Sequence, residues 1–279
     1  MSGNNILEQI RASYYQFTTA ERKVADYILS QREQVQFMSI TQLADESGTA
    51  DATVSRFCRS LGLKGFNALK IELARLEGVA SDRTEYPLDS LEGRSKHAAD
   101  LAIHAIHQTL DLIDPEIVLR AVEMIEQAPR VMCIGSGGSM ISATECEHLF
   151  STVTGKFFAV TGSHRQMSAL ATMSPEDIVI LFSYSGATIN GIDVLEQAKQ
   201  FGIQTILVTR FSKSPAAKLA DVVLQCGSDE GPYQFGSVAA KVAQLIVMDV
   251  LFREYCTRNQ ASCEENVERI AAALSKKHL

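Results

Sequence analysis

From Arg130 onward, short runs of consecutive apolar residues recur between segments of helical spacing, at 131–134, 157–160, 178–182, 205–208 and 222–224. A strand covered on one face alternates apolar and polar residues. A strand that is apolar at every position is covered on both faces, and such strands separated by helices form a parallel sheet between two helical layers. The spacing therefore predicts a five-stranded, doubly wound parallel sheet flanked by helices. No uninterrupted apolar stretch reaches the eighteen or more residues that a membrane span requires.

In sheets of this kind, ligands lie beyond the carboxyl ends of the strands. The first run leads into Gly135-Ser136-Gly137-Gly138-Ser139, where backbone amides at a helix amino terminus can surround an anion. This loop lacks the Lys-Ser/Thr pair of a Walker loop. Met140 takes the third-glycine position of a dinucleotide fingerprint, and no acid ends the next strand at Val160-Thr161. A small phosphate or a plain tight turn remain, about equally. The third run leads into Ser183-Tyr184-Ser185-Gly186-Ala187-Thr188, which adds the three aliphatic hydroxyls of Ser183, Ser185 and Thr188 and a glycine at another helix start. Two such loops on one sheet edge can hold a phosphate without Lys or Arg. The competing reading of each serine by itself is a helix cap.

The first seventy-five residues have a different pattern. Apolar residues keep helical spacing (Ile6, Ile10, Tyr14, then Val24, Ile28, Leu29), and Thr18 or Thr19 marks a helix start. Over 39–57, one short helix ends at Gly48 and a second begins with Asp51 as its N-cap. A helix-turn-helix needs a small residue where the helices meet, a turn residue tolerant of positive φ, and apolar residues facing inward from the second helix. Ala44, Gly48, Val54 and Phe57 meet those needs in order. Thr53, Ser55, Arg56 and Arg59 are expected to project opposite Val54 and Phe57, where a major-groove reader needs them. Lys64 and Asn67 follow on a wing-like turn and suit phosphate contacts better than base reading. Charge agrees: nine Lys/Arg against eight Asp/Glu give residues 1–75 a balance of +1, which leaves −8 of the net −7 in the remainder.

Residues 77–95 lose the helical period, contain Gly78, Pro87 and Gly93, and are assigned as a linker between a 1–76 domain and a 96–279 domain. His97, His104 and His107 share a helix without a carboxylate or cysteine set to complete a metal site. The six cysteines are scattered, with no Cys-x-x-Cys pair, and are assigned as reduced structural thiols. The start, MSGNNILEQIRAS, has no basic segment followed by an apolar core, so a cytoplasmic location is expected. The long apolar helix over 237–255 suits core and dimer surface.

The stretch 51–70, DATVSRFCRSLGLKGFNALK, closely resembles the recognition region of the RpiR family of bacterial regulators. Asp51 stands where family members usually have Ser. The Gly-Ser loop, the Ser-x-Ser-Gly-x-Thr loop, Ala198-Lys199, Thr209 and 219–221 make residues 120–255 similar to a sugar isomerase (SIS) domain. Together they imply an all-α helix-turn-helix domain followed by an α/β SIS domain with a Rossmann-like sheet. By this resemblance Ser139, Ser183, Ser185 and Thr188 hold a phosphate, Ser136 and Gly137 line the same site, and Glu230 and Ser237 reach the sugar. His164 and Gln166 fall where relatives have similar polar residues, and Lys241 where a relative often has Arg. The implied function is regulation of sugar or amino-sugar catabolism, with double-stranded operator DNA and a phosphorylated sugar as partners. No cofactor, metal or catalytic residue is implied, and a homodimer or homotetramer is expected, since two reading heads suit a two-fold DNA site. Two alternatives remain. One is a sugar-phosphate isomerase using Glu145, Glu147, His148, His164 or Glu230 as acid or base. The other is an SIS domain that serves only dimerisation.

Overall fold

The computed structural model describes residues 6–76, 87, 89–228 and 237–275. They fall into two compact units, one ending at Leu101 and one starting at Ala102. The division falls within a long helix, and that helix begins inside the segment assigned as a linker.

The first unit is helical: α1 (Ile6–Ser13), α2 (Thr19–Ser30), α3 (Arg32–Val35), α4 (Ile40–Glu46), α5 (Asp51–Ser60) and α6 (Phe66–Leu76). Its core buries Ile10, Val24, Ile28, Leu43, Val54, Phe57 and Leu69 completely. Two capping boxes start helices where the sequence changes from loop to helix. The Thr18 hydroxyl accepts from the Glu21 amide and the Glu21 carboxylate accepts from the Thr18 amide; Ser39 and Gln42 repeat the pair on α4. The turn between α4 and α5 passes through Gly48 at φ +62°, a left-handed conformation that costs glycine nothing. Asp51 is not the N-cap of α5. Ala50 holds that place in extended backbone and Asp51 is the first helical residue. The Asp51 carboxylate instead accepts from the Thr41 hydroxyl at 2.9 Å and ties the first turns of α4 and α5 together. The expected wing-like turn is corrected too. Gly62 and Gly65 carry positive φ, α6 starts directly at Phe66, and Asn67 lies on that helix. Among the described residues of this unit there is no strand to build a wing.

The second unit contains the second half of α7 (Leu91–Leu112), then α8 (Pro115–Gln127), β1 (Val131–Gly135), α9 (Gly138–Ser151), β2 (Phe157–Ala159), α10 (Ser163–Leu170), β3 (Ile178–Phe182), α11 (Ile189–Phe201), β4 (Gln204–Thr209), β5 (Val222–Gln225), α12 (Val238–Arg258) and α13 (Gln260–Leu274). All five strands are parallel, in the order β2-β1-β3-β4-β5. The pleat sends successive side chains to opposite layers. Val131, Cys133, Ile178, Ile180, Ile206 and Val208 pack with Val122, Ile125, Phe150, Val247 and Leu251 of α8, α9 and α12. Met132, Ile134, Val179, Leu181 and Leu207 pack with Leu170, Val194 and Leu195 of α10 and α11. This two-sided cover is why the strands read as unbroken apolar runs. The ring of Phe150 stacks on Phe157 at 4.0 Å and anchors the β2 edge.

Candidate functional site

The strand order reverses between β1 and β3. The chain leaves β1 toward β2 on one side and returns to β3 on the other, so the loops after β1 and β3 diverge and leave a crevice between their helix starts. Gly135 and Phe182 are register partners, so both loops begin at the same level. In the first loop, a Cβ on Gly135 would lie 2.6 Å from the Ser139 carbonyl oxygen, so the tight approach requires glycine. Ser136 and Gly137 are exposed, and Gly137, at φ +56°, is the N-cap of α9.

The second loop folds over buried hydroxyls. Ser183 is 4% exposed, its amide bonds to the Val208 carbonyl, and its Oγ lies 3.4 Å from Thr188 Oγ1. Gly186 sits at φ +59°, where a Cβ would meet the buried Ser214 Oγ at 2.0 Å. Ser185 Oγ accepts from the Ala187 amide at 3.3 Å. Thr188 is the N-cap of α11, yet its hydroxyl makes no capping bond. Ser237 does cap: its Oγ accepts from the Ala240 amide at the start of α12. Glu230 lies outside the described residues.

Two carboxamides that sequence reasoning missed connect these parts. Asn190, on the first turn of α11, donates to Gln166 Oε1 at 2.7 Å and reaches Ser136 Oγ at 3.5 Å. Gln244, 1% exposed within apolar α12, donates to Ser139 Oγ at 3.3 Å and accepts from the Ser142 hydroxyl at 2.7 Å. A lone glutamine in an otherwise apolar helix face was the available signal for Gln244. Asn190, a polar residue two places beyond the hydroxyl loop, had no signal that separated it from a surface residue. His164 is exposed on α10, whereas Gln166 beside it is buried. The site thus offers hydroxyls and the positive ends of α9 and α11 to an anion, with carboxamides bracing them from Gln166, Asn190 and Gln244 and no Lys or Arg in either loop.

Glu145, Glu147 and His148 lie on the later turns of α9. Glu145 is seven residues beyond Gly138, about 10 Å along the axis at the helical rise, so these groups stand away from the crevice. Among the described residues no cluster of His, Cys, Asp and Glu could hold a metal ion.

In the first unit, Arg56, Arg59, Lys64 and Asn67 are exposed and Ser55 is partly so. Thr53 departs from expectation: it is 6% exposed and does not project with them. Thr53 and Phe57 are four residues apart and so share a helix face, which packs into the core. The Thr53 hydroxyl accepts from Arg56 at 3.3 Å and braces the guanidinium from below.

Residues 4–77 match the helix-turn-helix domain model of the rpiR family and residues 124–253 match the SIS domain model. The HTH-type transcriptional regulator YbbH of Bacillus subtilis is 32% identical over 95% of both chains. This chain belongs to the rpiR family of transcriptional regulators. Among other similar regulators, HexR of Pseudomonas aeruginosa is 28% identical, with 97% of this chain and 95% of HexR covered. The structure of Vibrio vulnificus NanR complexed with ManNAc-6P superposes on this one with a TM-score of 0.89 at 28% identity, covering 98% of this chain and 99% of NanR. The rpiR-family helix-turn-helix makes DNA its partner, and its relatives are named as regulators, so the chain is a regulator and not an isomerase. Among the described residues no helix of this rpiR-family chain is long and apolar enough to cross a membrane.

Proposed function

We propose that this rpiR-family regulator controls genes of sugar or amino-sugar catabolism, and that a phosphorylated sugar bound in the SIS domain sets its affinity for operator DNA. The observation that carries the reading is the crevice between β1 and β3, where the uncapping hydroxyl of Thr188, the hydroxyls of Ser136, Ser183 and Ser185, and two helix amino termini converge. The likeness to NanR, whose structure holds ManNAc-6P, supports the same assignment.

In this reading the phosphate meets Ser139, Ser183, Ser185 and Thr188, with Ser136 and Gly137 lining the loop. Ser237 and Glu230 belong to the sugar end. Ser55, Arg56 and Arg59 face DNA bases while Lys64 and Asn67 meet phosphates. The division into a 1–76 reading domain, a 77–95 linker and a 96–279 effector domain follows from it. Two copies pairing on a two-fold operator complete the picture, and light scattering of the purified chain measures that state.

The test is a thermal-shift panel of ManNAc-6P, glucosamine 6-phosphate, fructose 6-phosphate, glucose 6-phosphate and ribose 5-phosphate, with wild type and Ser185→Ala. A ligand at one hundred times its Kd adds about 2.7 kcal/mol of stability. The expected outcome is a shift by one panel member that Ser185→Ala loses, together with a change in operator affinity on adding that compound. No shift by any member sinks the effector reading and favours an SIS domain that only dimerises.

A further inference from the structure

Gln166, 1% exposed on α10, has a carboxamide whose orientation is forced by its neighbours. Its Nε2 donates to the Gly135 carbonyl at 3.1 Å and to the Val160 carbonyl at 2.9 Å. Backbone carbonyls only accept, so the atom between them is the nitrogen and both of its protons are committed. The carboxamide oxygen then faces the other way, 2.7 Å from the Asn190 side chain. That oxygen also only accepts, so Asn190 must turn its own nitrogen toward it. The same nitrogen reaches Ser136 Oγ at 3.5 Å, the long end of hydrogen-bond range. The sequence of forced choices ends at Asn190 Oδ1. Among the described residues no protein group donates to that oxygen, and it belongs to a partly exposed side chain two residues from Thr188.

We propose that Asn190 is a specificity-determining residue of the effector site, presenting Oδ1 as an acceptor for a hydrogen-bond donor on the sugar, and that Gln166 is the positioning residue that fixes this orientation. The proposal rests on the phosphosugar reading of the same crevice. The donor is a sugar hydroxyl or an acylamino N–H. A phosphate oxygen, itself an acceptor at neutral pH, gains nothing from Oδ1. Ser136, by accepting from Asn190, keeps its own proton for an anionic oxygen. The two ends of the ligand are thereby read by groups of opposite polarity: donors for the phosphate, an acceptor for the sugar.

The experiment compares two affinities of the full-length chain by calorimetry, one for inorganic phosphate and one for the panel member that stabilises wild type most. Asn190→Ala is expected to weaken the sugar phosphate about tenfold, or about 1.4 kcal/mol, while leaving inorganic phosphate within about twofold, an order-of-magnitude tolerance set by context effects on single interactions. Ser185→Ala weakens both probes. Gln166→Met shifts the sugar-phosphate to phosphate ratio in the same direction, and the double variant loses no more than the worse single variant, as for two residues acting through one contact. Asn190 is on the helix surface, so its variant carries the test even if the buried Gln166 variant unfolds. An unchanged ratio in Asn190→Ala, or equal loss of both probes, overturns the proposal with the effector reading intact. A wild type that no panel member stabilises overturns the effector reading and this assignment with it.

Discussion

At the residue scale, glycines and buried thiols set the sharpest expectations. Gly137 and Gly186 both have positive φ, but a Cβ at Gly137 meets open space whereas one at Gly186 runs into Ser214. Gly137, at φ +56° and ψ −126°, lies outside the left-handed helical region, so Gly137→Ala is expected to cost about 1–3 kcal/mol of conformational strain alone. Gly186→Ala adds overpacking of about 1–3 kcal/mol and distorts the loop carrying Ser185. Urea denaturation of the two variants reads the difference, and equal losses would refute the packing argument. Burial also pushes the Cys58 thiol up to about 12. A group whose folded pKa exceeds its unfolded value near 9 contributes stability that is complete below pH 9 and is lost as pH rises toward 12. Iodoacetamide at pH 8 should leave Cys58 unlabelled in the native chain, and the denaturation midpoint should fall as pH climbs above 9.

At the element scale, the reading unit depends on short helices that need help at their ends. Helices of seven to twelve residues are marginal by themselves, which is why α2 and α4 carry capping boxes. Thr18→Ala should cost about 1 kcal/mol, and the effect should appear as a lower melting temperature of the helical unit without a change in the SIS sheet. Thr41 and Asp51 work between elements: their hydrogen bond sets the first turn of α5 against α4. Asp51→Ala is expected to weaken operator binding by loosening that join, while Asp51→Ser, shorter and still an acceptor, restores part of it. Gel-shift titration of the three proteins measures this order, and equal affinities would detach the join from DNA binding.

For the whole molecule, charge is divided along the chain, with the acidic excess beyond residue 75 and the exposed Arg56, Arg59 and Lys64 on the reading unit. Operator affinity should fall steeply with salt, and Lys64→Ala should reduce the slope of log affinity against log salt by about 1. Linkage adds a second expectation. Whatever factor the sugar phosphate imposes on operator affinity, operator DNA must impose on sugar-phosphate affinity. Calorimetry with and without DNA measures that common factor, and a factor of 1 would show that the two sites are uncoupled.

Much of this was written in local sequence because the physics behind it is local. Continuous apolar runs report strands covered on both faces, a glycine after a short helix reports a positive φ, and Ser or Thr three residues before Glu or Gln reports a cap. The five strands and the two loops at the switch point were legible for that reason, as was the helix-turn-helix. What tertiary structure decided was the partner of each polar side chain. Thr53 turned inward because Phe57, one turn on, shares its face. Asp51 left the cap because Thr41, ten residues earlier, offered a hydroxyl. Gln166, Asn190 and Gln244 gained their places from strands and helices 24 to 105 residues away in sequence. A hydrogen bond between distant segments has no sequence period, so only the folded chain brings its two ends together.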